Sequence, residues 1–218
     1  METGKKANLP LITTIIVAVN VIVFLISDLI LFNRQDEIAF YMSLNPVLVL
    51  NGGEYWRLLT SMFYHFGIDH LACNMLMLFL LGAILEPFFG RIRFFVLYFV
   101  SGLVADAASI LYNGIIRGES GRFVFCAGAS GAVYGLIGAY AAIFLFQRKQ
   151  MPAQVKGRLL LAVAFLLFGS IFDTGIGHDA HFGGFAAGIL LGIVYCFGMK
   201  KKTEKTTEYG RADYGGDK

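Results

Sequence analysis

Residues 127–135 read AGASGAVYG. One hydroxyl, Ser130, sits among glycine and alanine, and Tyr134 follows four residues later. In a helix those two side chains share a face, because residues four apart are neighbours on the helix surface. A run of such small residues is the packing surface of a membrane helix, where it lets a second helix approach closely. It is also the setting a nucleophilic serine needs if its base has to arrive from a neighbouring helix. The choice between packing and chemistry depends on the rest of the chain.

The chain has 218 residues, of which 57% are hydrophobic and only 15% charged. Its mean hydropathy is +0.67. Soluble domains carry about a quarter charged residues, so this composition describes an integral membrane protein. The net charge of +3 lies in short loops and at the two ends. It carries topology, not a nucleic-acid footprint, and no glycine-rich phosphate loop follows a strand-like run. Cys73, Cys126 and Cys196 are odd in number and lack paired spacing. They form neither a disulfide framework nor a zinc knuckle and are expected as buried thiols.

Crossing a bilayer takes about 20 largely apolar residues. Six segments are candidates: 9–32, 70–89, 92–112, 128–146, 158–173 and 181–199, the fifth being the shortest. The first is too long for a signal-peptide core and has no small-residue cleavage site after it. Lys and Arg in short loops mark the cytoplasmic side. Lys5 and Lys6 precede the first span, and Arg91 and Arg93 join the second to the third. Arg148, Lys149, Lys156 and Arg158 join the fourth to the fifth, and Lys200, Lys201, Lys202 and Lys205 follow the sixth. Both termini therefore fall in the cytoplasm, as an even number of spans requires. The expectation is an all-α polytopic membrane protein with six transmembrane helices. Residues 1–8 form a cytoplasmic N-terminus, 9–199 the helical domain, and 200–218 a polar cytoplasmic tail expected to be disordered. The connection 33–69 is too rich in aromatic and apolar residues for a solvated loop, and is expected to pack at the outer leaflet.

Polar groups inside spans are expensive and mark function. With the N-terminus inside, the second, fourth and sixth spans all start at the outer face. His70 and Asn74, four apart, share a face in the first turns of the second. Ser130 lies in the first turn of the fourth, and His181 starts the sixth. His65 and His178 lie on the same side. Gly131 and Gly135 form one small-residue pair, and Gly184 and Gly188 another, with His181 above it. Packing these two faces together would aim His181 at Ser130 as an adjacent base. His70, Asn74 and the Ser130 amide could then donate to a developing oxyanion, each donor contributing about 3 kcal/mol in known acyl-transfer sites.

Plainer readings compete. Ser130 could be packing, and Asn74 interhelical glue, but four such residues would then share one depth by coincidence. A metal site on the histidines lacks the HExxH pattern. A transporter reading would use Asp28 and Asp106, but no charged pathway continues from the histidines.

Taken together these residues resemble the rhomboid family of intramembrane serine proteases. GASGAVYG, with Ser130 and Tyr134, is similar to the family's nucleophile motif, and AHFGGFAAG, with His181, to its base motif. HFGIDHLACN, from His65 to Asn74, resembles its HxxxxHxxxN signature, and Trp56–Arg57 its WR pair. LEPFFGRIRFFVLYFVSG, with Glu86, Gly90, Arg91 and Tyr98, resembles the junction of its second and third helices. The resemblance runs over roughly residues 45–192. It implies a six-helix core and a dyad, with Ser130 as nucleophile and His181 as general base and then acid. Tyr134 would stack on His181, and His70, Asn74 and the Ser130 amide would line the oxyanion hole. Gly128 would permit close approach to the backbone. Asp179, two residues before His181, is not called for by the family pattern. The implied substrates are transmembrane proteins cut on the outer side, with no cofactor and no metal. The minimal architecture resembles the bacterial form, expected in the plasma membrane. The alternative is a catalytically silent relative that binds or chaperones membrane helices.

Overall fold

The computed structural model describes residues 9–117, 124–147 and 177–212, together with 157 and 164. Helix α1 (Leu11–Leu25) is apolar apart from Thr13, Thr14 and Asn20, and continues in a π-helical turn, Ile26–Ile30. Pro10 provides no side-chain cap for its first amides. Glu86, near the end of α5 (Ile68–Phe89), fills that role. Its carboxylate accepts from Ile12 N–H at 3.0 Å, Thr13 N–H at 2.9 Å and the Thr13 hydroxyl at 2.8 Å. The first amides of any helix need such partners, and a carboxylate also complements the helix dipole there.

Between α1 and α5 lie three short helices, α2 (Gln35–Met42), α3 (Pro46–Leu50) and α4 (Arg57–Thr60). They fold around Arg57, which is fully buried. Its guanidinium donates to the carbonyls of Phe40, Tyr41 and Ser43 and to the Glu54 carboxylate. The apolar connection is therefore a packed structure, because its one buried charge is surrounded by acceptors.

Gly90, with φ of 85°, turns the chain from α5 into α6 (Arg91–Ser109), and a π-helical segment, Ile110–Ile116, extends α6. That φ suits glycine because no Cβ is present to clash. Helix α7 (Ser130–Gln147) stands at the centre, with residues 131–140 buried without exception. A helix apolar on every side belongs inside, and this stretch of α7 is enclosed by the rest of the protein, whereas Leu145 and Phe146 near its end are exposed. Leu78, Leu81 and Leu85 of α5, Phe94, Leu97 and Tyr98 of α6, and Leu136, Ile137 and Tyr140 of α7 form the core.

Four helices among the described residues are long and apolar enough to cross a membrane: Leu11–Ile30, Ile68–Phe89, Arg91–Ile116 and His178–Met199. Ser130–Phe146 is a shorter apolar helix. The only β pairing among the described residues is an isolated bridge between Leu44 and Cys126. The protein is thus an all-helical, multi-pass membrane protein. The expected fifth span, 158–173, lies outside the described residues apart from 164.

Two expectations are corrected. Helix α8 (His178–Ala212) runs past Met199 to Ala212, where a disordered tail was expected from 200. Lys, Glu and Thr from 200 to 208 include no Gly or Pro to stop it, and Lys and Glu are good helix formers. Cys73 is exposed, not buried.

Candidate active site

The backbone before α7 is pinned at Cys126, Gly128 and Ala129. Cys126 and Leu44 exchange both backbone bonds, at 3.0 and 2.8 Å. Gly128 N–H donates to the Ser61 carbonyl at 2.8 Å. Ala129 N–H donates to His65 Nε2 at 3.2 Å. The Ser61 hydroxyl in turn donates to Asp106 of α6 at 2.8 Å. Gly128 has φ of 122°, and a Cβ there would lie 2.7 Å from His70 Cε1 and 2.8 Å from its Nε2. Only glycine satisfies both the torsion and the contact.

His65 is 1% exposed. Burial, and secondarily the nearby His70, pull its pKa from 6.5 down to about 4, against a smaller opposing effect from a bond to the Phe63 backbone. A ring accepting an amide N–H at Nε2 must be unprotonated there, so burial and hydrogen bonding agree on a neutral His65. The two imidazoles meet edge to face, 5.0 Å apart.

Ser130 is thereby delivered as the first residue of α7, where the leading amides lack intrahelical acceptors. His181 enters from α8, which follows Gly177 (φ 129°), whose carbonyl accepts His181 N–H at 2.9 Å. His181 Nε2 lies 2.9 Å from Ser130 Oγ. The Tyr134 ring covers the imidazole face to face, 4.0 Å away and 6° from parallel.

Backbone contact between α7 and α8 makes this geometry possible. A Cβ on Gly184 would overlap the Gly131 carbonyl, and one on Gly188 the Gly135 carbonyl. Further along, a Cβ on Gly192 would lie 2.9 Å from Ala139 Cα. The spacing of small residues in the two motifs is therefore the seam itself.

The structure brings Ser130, His181 and Tyr134 into direct contact and sets His70 against Gly128. Asn74 is buried on α5, and its amide donates to the His70 carbonyl of its own helix at 2.9 Å. Asp179 accepts from Asn113 Nδ2 of the α6 extension at 2.8 Å. The roles of His65 and Ser61 in holding the loop were not read from the sequence. His65 stands out in the sequence as the first histidine of HFGIDHLACN, but its partner is 64 positions away.

Three relatives of the chain carry related names. Rhomboid protease GluP of Bacillus subtilis is 28% identical over 189 residues, which cover 86% of this chain and 34% of that protein. RHOMBOID-like protein 4 of Arabidopsis thaliana is 37% identical over 147 residues, 67% of this chain and 35% of the relative. Rhomboid-related protein 3 of Homo sapiens is 31% identical over 154 residues, 64% of this chain and 36% of the relative. The chain spans about a third of the length of each. A family model described as the rhomboid domain matches residues 52–197, from just before Trp56 to beyond the last glycine of the α7–α8 seam, and the chain belongs to the rhomboid family.

Proposed function

We propose that the protein is an intramembrane serine endopeptidase that cuts transmembrane segments of other membrane proteins. The observation that carries this reading is the 2.9 Å contact between His181 Nε2 and Ser130 Oγ. A base within hydrogen-bond reach is what makes a serine hydroxyl nucleophilic. Ser130 Oγ bonds to the scissile carbonyl carbon while its proton passes to His181 Nε2. The imidazolium then protonates the leaving amine, and water attacks the acyl-enzyme by the reverse proton route. Charge on the carbonyl oxygen develops beside the α7 N-terminus, where the Ser130 amide donates, with His70 and Asn74 as further donors. Tyr134 holds the imidazole plane, and Gly128 keeps the loop backbone open to the substrate.

The same reading assigns six spans, with 158–173 as the fifth and both termini cytoplasmic. The apolar composition of 158–173 and the Lys and Arg distribution support it. The site then opens to the outer side of the plasma membrane, from which water for deacylation arrives.

The full chain, reconstituted with a model transmembrane substrate, tests this. Ser130→Ala and His181→Ala should each lower cleavage by roughly three orders of magnitude or more without loss of folded protein. Fluorophosphonate labelling should occur at Ser130 of the parent alone. Cleavage retained in Ser130→Ala overturns the reading, and a parent that neither labels nor cleaves points to a silent binder of membrane helices.

A further inference from the structure

Asp179 invites the reading of a third catalytic member, because it precedes His181 by two residues. Two residues apart on a helix means roughly opposite faces, not the same one. Its carboxylate instead meets Asn113, in the π-helical extension of α6. The same Asn113 amide nitrogen also lies 3.2 Å from both the carbonyl and the hydroxyl of Ser109, which is fully buried. The Ser109 hydroxyl lies 3.8 Å from Cys126 Sγ. Cys126 precedes Ser130 by four residues. One polar node on the end of α6 therefore touches the loop that carries the serine and the first turn of the helix that carries the histidine. π-helical turns recur where functional sites interrupt an α-helix.

His181 lies between two fixed points on α8. On one side, the glycine seam holds the helix from Gly183 onward, where a Cβ would lie 3.2 Å from the Val104 carbonyl of α6. On the other side is the Asn113–Asp179 bond. The carboxylate is also favourably placed within the first turn of α8, where it faces the positive end of the helix dipole. Among the described residues, this bond ties the turn that carries the base to α6 on the side away from the seam.

We propose that Asn113 and Asp179 form a clamp that sets the separation of His181 from Ser130, making both positioning residues for the reaction. The proposal rests on the peptidase reading. The clamp acts through helix placement, and displacements of about 1 Å in an active site can cost up to a hundredfold in rate.

The test uses the full chain in detergent, measuring the rate of fluorophosphonate labelling at Ser130 and kcat and KM on a model transmembrane substrate. Asn113→Ala and Asp179→Ala should each slow labelling and lower kcat on the order of tenfold, with KM unchanged within about twofold. The double variant should be no slower than either single one, because both remove the same bond. Asp179→Asn, whose amide oxygen still accepts from Asn113, should keep most of the parent rate. Asn113→Asp should lose activity, and adding Asp179→Asn should recover it, since an amide again faces a carboxylate. Unchanged rates in the alanine variants, losses that multiply in the double variant, or no recovery in the exchanged pair would each overturn the clamp. The exchanged pair also serves if an alanine variant does not fold. A parent that neither labels nor cleaves removes the peptidase reading and the clamp with it. Slow variants beside an active parent bear on the clamp alone.

Discussion

The Tyr134 ring lies flat on the His181 imidazole, with centroids 4.0 Å apart and planes 6° from parallel. Tyr134 is one turn beyond Ser130 on α7, so the helix that presents the nucleophile also presents the surface that orients its base. A stacked pair of this kind contributes about 0.5–1.5 kcal/mol beyond the area it buries, and it removes one rotational freedom from the imidazole. The stack is a ring-on-ring contact, so the phenol hydroxyl is not needed for it. Tyr134→Phe should stay within about threefold of the parent kcat, and Tyr134→Leu should fall on the order of tenfold with little change in KM. Steady-state cleavage of a model transmembrane substrate separates the two.

The glycine seam sets the distance on which the dyad depends. A methyl group at Gly188 would overlap the Gly135 carbonyl and must push α8 away from α7. Gly188→Ala should slow fluorophosphonate labelling on the order of a hundredfold and lower the melting temperature. Gly198, with nothing within 4 Å of where its Cβ would be, is the control. Gly198→Ala should label like the parent and be as stable or slightly more so, since alanine is the better helix former.

His65 makes the loop sensitive to acid. Its pKa is lowered to about 4, chiefly by burial. The unfolded chain binds the proton near the ordinary value of 6.5. The stability that depends on neutral His65 is therefore fully present above about pH 6.5 and is lost as pH falls from there through about 4. The protonated ring can no longer accept the Ala129 amide, which frees the residue next to Ser130. Thermal melting and Ser130 labelling should both decline over this range in the parent. In His65→Gln, which does not titrate, the melting temperature should start lower and the decline should be much smaller. An equal decline in both proteins would show that another group is responsible.

Glu86 separates stability from chemistry. It satisfies two amides and a hydroxyl at the start of α1. It sits sixteen residues from His70 along α5, which is roughly 24 Å of helix. Glu86→Ala should destabilise by about 1–3 kcal/mol for each buried donor left unpaired. The labelling rate per folded molecule should stay near that of the parent. Melting curves combined with labelling of the folded fraction read both quantities.

Much of the helical bundle was legible because its signals are local. Apolar runs of span length predicted α1, α5, α6 and the apolar part of α8, and the glycine spacing predicted a close α7–α8 contact. The pairing of Ser130 with His181 was legible for the same reason, since each sits at the start of a helix that opens at the same end of the bundle. Asn74 was read as an oxyanion donor, and spacing did not show that its amide also donates to the His70 carbonyl of its own helix. Helix spacing shows which face a side chain occupies, not which of its possible partners it takes.

The order of residues by itself determined that this is a helical membrane protein, which helix faces are small enough to touch, and which polar groups cluster at one end. Those properties follow from composition and from a 3.6-residue period, both of which act over a few turns. Only the tertiary structure decided that His65 accepts the Ala129 amide, that Ser61 holds Gly128, and that Asp179 turns away from His181 to meet Asn113. Each of these bonds joins segments dozens of residues apart, and irregular backbone meets its partners through the packing of the helices that carry it. No local period encodes that path.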